Sequence, residues 1–322
     1  MVPRKYAVKL YSFPSAEVGP VSDIVVLGIF CGDVIFRADR LPEIGETVLG
    51  QSFTLGPGGK GSNQAVGIGK LGGDVTILAR LADDDFGKLA RQTWKDANVR
   101  SRVIVTEGNH TGSAFVFVNP NTGDNVIIVA PGAANELSVQ DVEEARDLIG
   151  TAKIFVTQLE QPLDATRKAL EIARKGGATT ILNPAPAASL PDTLLSACDI
   201  VTPNETEARA LTGIEITDAD SARAACAGLN ARGAKTAIIT MGEGGVYVQG
   251  HGMIPARKFG TVVDTTGAGD AFNAGLATAL SEGQSLEEAA RFGCIVAGLS
   301  VRKQGAAPSM PTRAEIIDAL SA

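Results

Sequence analysis

Histidine, cysteine and tryptophan are scarce in this 322-residue chain, which holds two histidines, four cysteines and one tryptophan. With only His110 and His251 available, a Ser-His-Asp triad has little to draw on. Cys31, Cys198, Cys226 and Cys294 lie far apart, with no CxxC pair and no histidine cluster. That spacing argues against zinc and against a disulfide framework, and it suits a reducing cytoplasm. Basic residues are outnumbered, 29 Lys+Arg against 36 Asp+Glu, and no dense basic run occurs, which speaks against a nucleic-acid partner. No apolar run approaches membrane-spanning length. Residues 1–20 carry early basic residues but no continuous hydrophobic stretch, so they read as a disordered extension or a translation-start artefact rather than a secretory signal. No GxxxxGK[ST] is present, which excludes a Walker A loop, and no internal repeat is evident.

What is present is a rhythm of short apolar runs. Ile24–Gly28, Val75–Ala79, Lys153–Thr157, Thr179–Asn183, Ile200–Thr202 and Ala237–Thr240 read as strands, with Ala/Leu-rich helical patterns such as Leu163–Arg174 and Ser221–Ala231 between most of them. Fully apolar strands alternating with helices predict a mainly parallel sheet covered on both faces. Ligands of such sheets bind beyond the C-terminal strand ends, so the polar groups following each strand carry the functional information. Around 34–56 and again around 102–130 the rhythm fails, and strand-like segments follow one another without a helix. Ser113–Val118 and Asn125–Val129 flank the turn-rich 119–124, a hairpin signal. These regions predict a small discontinuous β-sheet projecting from the main domain, as a lid, an oligomer interface or both.

The most informative stretch is Asp264–Asp270, DTTGAGD, followed by a segment that reads as a helix. Gly267 and Gly269 permit a tight turn with bare N–H groups near an anion, at the positive end of that helix. Asp270 at the junction is placed either to accept a proton from an attacking hydroxyl or simply to cap the helix. Gly56–Gly61 matches GxGxxG, with Asp83–Asp85 at roughly the distance of a dinucleotide-binding fingerprint. It follows the expected lid rather than the first strand, however, and Lys60 stands where a pyrophosphate needs only backbone. The competing reading is a polar pocket in which Lys60, Asn63 and the glycine backbone grip hydroxyl groups. Asn204, Glu205 and Glu207 cluster after Ile200–Thr202, as a helix cap with acidic first-turn residues or as a Mg²⁺–phosphate site. Thr240–Gly245 is a hairpin turn or a loop around nucleotide phosphates. Glu160 sits just past an apolar strand, where a buried acid can accept bonds from sugar hydroxyls, and Asp33 is a hydroxyl acceptor or a turn residue.

Taken together, GPGGKGSNQA (56–65), QLE (158–160), NPAP (183–186), TPNETEA (202–208), DTTGAGDAFNAG (264–275) and GAAPSMP (305–311) resemble the ribokinase family of PfkB-type carbohydrate kinases. The resemblance runs from about Asp23 to the C-terminus. It implies an α/β, ribokinase-like three-layer sandwich with a mainly parallel central sheet, forming a single sugar-kinase domain over 21–322. It implies ATP-dependent phosphorylation of a sugar hydroxymethyl group, with D-ribose the foremost substrate. Asp270 matches the catalytic base, and Gly267, Ala268 and Gly269 the anion hole. Cys31, Gly32, Asp33, Gly59, Lys60, Gly61, Ser62, Asn63, Glu160 and Asp270 fall in the sugar-binding segments. Asn204, Thr240, Met241, Gly242, Glu243, Gly244, Gly245, Gly269, Asp270 and Cys294 match the ATP side. Glu207 aligns with the acidic position linked to Mg²⁺. Asp264, Thr266, Ser300, Lys303, Gly305 and Ser309 match the site of an activating K⁺, several through backbone carbonyls. The resemblance also implies a homodimer joined through the small sheet.

Two departures bear on the substrate. Cys31 replaces an asparagine of the family's GxxNxD pattern, and a thiol is a poor substitute donor. Cys294 stands where a polar residue is frequent near the adenine. A related kinase for another pentose, a ketohexose or a nucleoside, a non-catalytic sugar- or nucleotide-binding regulator, and a nicotinamide oxidoreductase are the alternatives.

Overall fold

The computed structural model describes residues 22–321; the expected extension at 1–20 lies outside the described residues. Thirteen strands occur in chain order: β1 (Ile24–Leu27), β2 (Cys31–Arg37), β3 (Ser52–Gly58), β4 (Val75–Ala82), β5 (Arg100–Thr106), β6 (Ser113–Val118), β7 (Asn125–Ala130), β8 (Ile154–Thr157), β9 (Thr179–Leu182), β10 (Ile200–Val201), β11 (Thr236–Thr240), β12 (Val246–Val248) and β13 (Gly252–Ile254). Nine of them form one sheet in the order β13-β12-β11-β10-β9-β8-β1-β4-β5, parallel from β11 to β5 and antiparallel over β11-β12-β13. The apolar runs expected as strands all enter this sheet. β1 shows why they are apolar throughout: Ile24 and Val26 face one hydrophobic core, Val25 and Leu27 the other, and all four are fully buried. Helices on both faces complete a three-layer α/β sandwich.

The second helix-poor stretch divides between two sheets. Arg100–Thr106, partly within the expected lid segment at 102–130, is instead the edge strand of the large sheet, pairing in parallel with β4. Its exposed, arginine-bearing pattern hid it, because an edge strand need not be apolar on both faces. The remaining strands make a four-stranded sheet in the order β3-β2-β6-β7. Phe36 packs on Phe53 and Phe115 across one face of it, with ring centroids 5.2 and 6.0 Å apart. That face stays open: Phe53 is 57% and Ile128 65% exposed.

Small residues bring the functional segments together. The helices Lys60–Lys70 and Ala268–Ser281 meet at Gly67, where a Cβ would lie 2.6 Å from that of Ala274. The start of the first helix touches the end of β1, since a Cβ on Gly28 would come within 2.6 Å of the Gly61 Cα. The helix Leu286–Ser300 fits against Ala268–Ser281 in the same manner: a Cβ on Gly275 would lie 2.9 Å from the Gly293 Cα. Any larger side chain at these contacts would push the helices apart.

Candidate active site

Asp270 lies in the first turn of the helix Ala268–Ser281, whose N-cap Gly267 has φ 78°, the left-handed region that glycine enters without strain. Its carboxylate is only 5% exposed and is held by two side-chain amides, Asn63 Nδ2 donating to Oδ2 at 3.0 Å and Gln64 Nε2 donating to Oδ1 at 2.9 Å. Burial pushes its pKa up, while the Lys60 charge and the two amide bonds oppose the rise. A carboxylate kept ionised by neutral donors in a dry setting accepts a proton more readily than one in water. Among the described residues, the N–H groups of Gly267 and Gly269 meet no protein acceptor, whereas that of Ala268 turns to the Thr265 carbonyl at 3.1 Å. Of the three residues expected to form an anion hole, Gly267 and Gly269 thus keep free N–H groups and Ala268 does not.

The sugar-side residues converge from three elements. Glu160, in the loop after β8, accepts the Lys60 N–H at 2.7 Å and so caps the helix Lys60–Lys70 from a distance. Burial raises its pKa to about 7 against the pull of Lys60. Asp33, on β2, is raised to about 6 by burial, with a hydrogen bond from the Cys31 thiol opposing. Burial, together with the charges of Asp33 and Glu160, pushes the Cys31 thiol up to about 12. Asp33 fits because Gly58 has no side chain; a Cβ there would meet its Oδ2 at 2.3 Å. Gly59 has φ 89°, and a Cβ would run into the Ile29 carbonyl at 2.6 Å. Gly32 is required by Phe86, whose ring would meet a Cβ at 2.3 Å. Asn63 Oδ1 is buried without a partner, an acceptor that a ligand hydroxyl can satisfy. Ser62 does not join the cluster: it is fully buried and its hydroxyl accepts the Trp94 indole N–H at 2.9 Å. Periodicity along the Lys60–Lys70 helix separates it from Asn63, because adjacent helical residues face different directions.

On the other side of Asp270 opens a cleft of about 600 Å³. Of the residues expected on the nucleotide side, Asn204, Thr240, Gly242, Glu243, Gly245, Gly269 and Cys294 line it, whereas Met241, Gly244 and Asp270 do not. Thr240–Gly245 joins the antiparallel strands β11 and β12 as the expected hairpin turn, and four of its residues line the cleft. Thr265 and Phe272, within the DTTGAGDAFNAG motif, also line the cleft, as do the segment 256–260, Ala297, Gly298 and Val301, which no motif announced. Lys258 pairs with Glu243 across this wall at 3.2 Å.

Glu207 forms a capping box with Asn204: its Oε2 accepts the Asn204 N–H at 2.9 Å and its Oε1 the side-chain amide at 3.1 Å. Both oxygens are engaged, so the capping role is realised. Asp264 accepts from the N–H groups of Thr266 and Gly305, each at 2.9 Å, and this draws its pKa below the usual range despite partial burial. Ser300 and Ser309 donate their hydroxyls to the carbonyls of Ala297 and Ala306. The Lys303 ammonium pairs with Glu315. Asp264, Ser300 and Ser309 offer oxygen donors alone, a chemistry that suits a hard cation rather than a soft one. No group of His, Cys, Asp and Glu residues fit to hold a metal by side chains alone occurs among the described residues.

Comparison with known proteins identifies the family. Residues 21–313 match the family described as pfkB family carbohydrate kinase. The chain is 40% identical over 300 residues to a ribokinase of Haemophilus influenzae, covering 92% of this chain and 98% of the relative. It is 33% identical to a deoxyribokinase of Salmonella typhi, covering 93% and 99% of the two chains. The structure of Arabidopsis thaliana ribokinase complexed with ribose and ATP superposes with a TM-score of 0.85 at 33% identity, covering 94% of this chain and 99% of that one. A buried carboxylate at a glycine-capped helix start, set between a polar pocket and an open cleft, thus occurs in a chain that belongs to the pfkB family of carbohydrate kinases.

Proposed function

We propose that the protein transfers the terminal phosphoryl group of ATP to the hydroxymethyl oxygen of D-ribose, giving D-ribose 5-phosphate and ADP. The observation that carries this reading is the place of Asp270, between the sugar-side amide of Asn63 and the cleft wall at Gly269. The sugar hydroxyl attacks phosphorus, its proton passes to the Asp270 carboxylate, and the bond from phosphorus to the leaving ADP oxygen breaks. The free N–H groups of Gly267 and Gly269, with the helix dipole behind them, stabilise charge on the equatorial oxygens. Asp33, Glu160, Lys60 and Asn63 orient the sugar, and Glu160 and Asp33 release strain when hydroxyl donors satisfy their buried oxygens.

Mg²⁺ would neutralise nucleotide phosphate charge when bound, and Glu207, whose two oxygens are engaged in the Asn204 cap, is the acidic residue that would favour it there. The oxygen donors around Asp264 would hold K⁺ and so lower the negative potential beside the anion hole. The small sheet bears Asp33 on β2 and delivers Gly58 at the end of β3, so its position controls water access to the sugar. Its open apolar face accepts the same face of a second copy, giving a homodimer. The four scattered cysteines, with no CxxC pair, support a cytoplasmic setting for the reaction.

A second reading, a kinase for 2-deoxyribose or another pentose, is favoured by Cys31, which shares β2 with Asp33 and offers a thiol where the family pattern has an asparagine. ADP release measured over pentoses, hexoses and nucleosides, with and without K⁺, decides between them. Ribose-dependent ADP release that Asp270→Asn lowers by about 10²–10⁴-fold, with ATP affinity retained, is expected. Near-normal turnover by that variant would remove Asp270 from its role.

A further inference from the structure

We infer that Gln64, locked by a buried amide relay from Gln158 and Asn183, is a positioning residue that fixes the Asp270 carboxylate; this rests on the reading of Asp270 as the base. Every hydrogen-bonding group of the Gln64 amide is used. Nε2 donates to Asp270 Oδ1 at 2.9 Å and to Asn183 Oδ1 at 3.1 Å, and Oε1 accepts from Gln158 Nε2 at 2.6 Å. Turning the amide over would set its oxygen against the carboxylate and against Asn183, and its nitrogen against Gln158. All three bonds would be lost in a place where Gln64 is fully buried and water cannot replace them.

The relay is rooted in the large sheet. Gln158 directly follows β8, and its carbonyl accepts Gln161 Nε2 at 2.8 Å. Asn183 directly follows β9, and its N–H donates to the Thr157 carbonyl at 2.9 Å. The strand ends therefore determine which way Gln64 presents its N–H, and through it the plane of the Asp270 carboxylate. Asn63, the other donor, has its Oδ1 unpartnered and is shared with the ligand. Gln64 serves the base alone.

The charged groups facing Asp270 are Lys60 from the helix that carries Gln64, Glu160 from the loop after β8 and Glu207 from the helix Glu205–Thr212. Lys60 favours the ionised base and the two acids oppose it, so losing the Gln64 donor shifts the balance toward the protonated, inactive form.

The test compares Gln64→Met, Gln64→Glu and Gln158→Met with the native enzyme in steady-state kinetics from pH 5 to 9, alongside thermal unfolding. Gln64→Met is expected to lower kcat about tenfold to a hundredfold and to move the acid limb of kcat/KM upward by about one pH unit, with ATP KM within about twofold. Gln64→Glu, which puts a second acid against Asp270, is expected to move that limb further in the same direction. Gln158→Met leaves the Asp270 bond in place but frees the Gln64 amide to turn, and shows a smaller loss of the same kind. It also carries the test if the Gln64 variants do not fold. Lowered melting temperatures with an unmoved acid limb and kcat within about twofold overturn the inference and leave Gln64 a packing residue. Full activity of Asp270→Asn would instead overturn the assignment of the base itself.

Discussion

Replacing Glu160 by glutamine should stabilise the ligand-free protein while impairing sugar binding. The carboxyl is held at about 7, above its ordinary 4.5, because burial outweighs the Lys60 charge and the Lys60 N–H bond. Such a displacement corresponds to about 3 kcal/mol against the ionised form. Below about pH 4.5 the group is protonated in the folded and unfolded chains alike and the penalty is absent. As pH rises, the unfolded chain loses its proton first and stability falls, until the folded carboxyl also ionises near pH 7 and the full penalty stands. Glutamine keeps an oxygen for the Lys60 N–H and carries no charge. Urea unfolding of the two proteins should therefore give equal stability at pH 4.5, with the variant ahead by about 3 kcal/mol at pH 8, equivalent to roughly 5 °C in melting temperature for a chain of this size. Ribose KM should rise by about one to two orders of magnitude, since a bond to a charged acceptor is lost, with ATP KM unchanged. Equal stability of the two proteins at pH 8 would refute the claim that Glu160 is strained in the absence of sugar.

Gly267→Ala forces a non-glycine residue to φ 78° and sets its Cβ 2.7 Å from that of Ala306. It should destabilise by about 2–4 kcal/mol in urea unfolding and lower kcat more than it raises either KM; stability within about 0.5 kcal/mol of the native protein would contradict the packing described. All four cysteines are buried, with Cys31 and Cys226 raised to about 12, Cys294 to about 11 and Cys198 also raised. An aromatic disulfide reagent at pH 8 should therefore titrate no thiol within minutes in the native protein, and all of them in denaturant. Rapid reaction of Cys31 in the native protein would show the sugar pocket to be open to reagents its burial excludes.

Much of the architecture was legible because its signals are local. A strand buried on both faces must be apolar throughout, so β1, β4, β8, β9 and β11 announced themselves, and the glycines and Asp270 of DTTGAGD marked a helix start. The edge strand Arg100–Thr106 was assigned to the wrong sheet because an edge has no such obligation. Helix position, a matter of neighbours along the chain, likewise could not show that Ser62 turns to Trp94 while Asn63 turns to Asp270.

The amino-acid order by itself determined which segments are strands, where the glycine turns fall and which carboxylates end up beyond the strand ends, since each follows from burial and backbone freedom over a few residues. Only the tertiary structure decided what those groups do to one another. Gln64 and Asp270 are 206 positions apart, and Gln64 and Asn183 are 119 apart, so no spacing along the chain could reveal their bonds. The close approach of helices at Gly67 and Ala274 brings Gln64 to Asp270, and the end of β9 brings Asn183 to Gln64. Burial then raises Asp33, Glu160 and Asp270 together, a property of the assembled pocket and of no single residue in it.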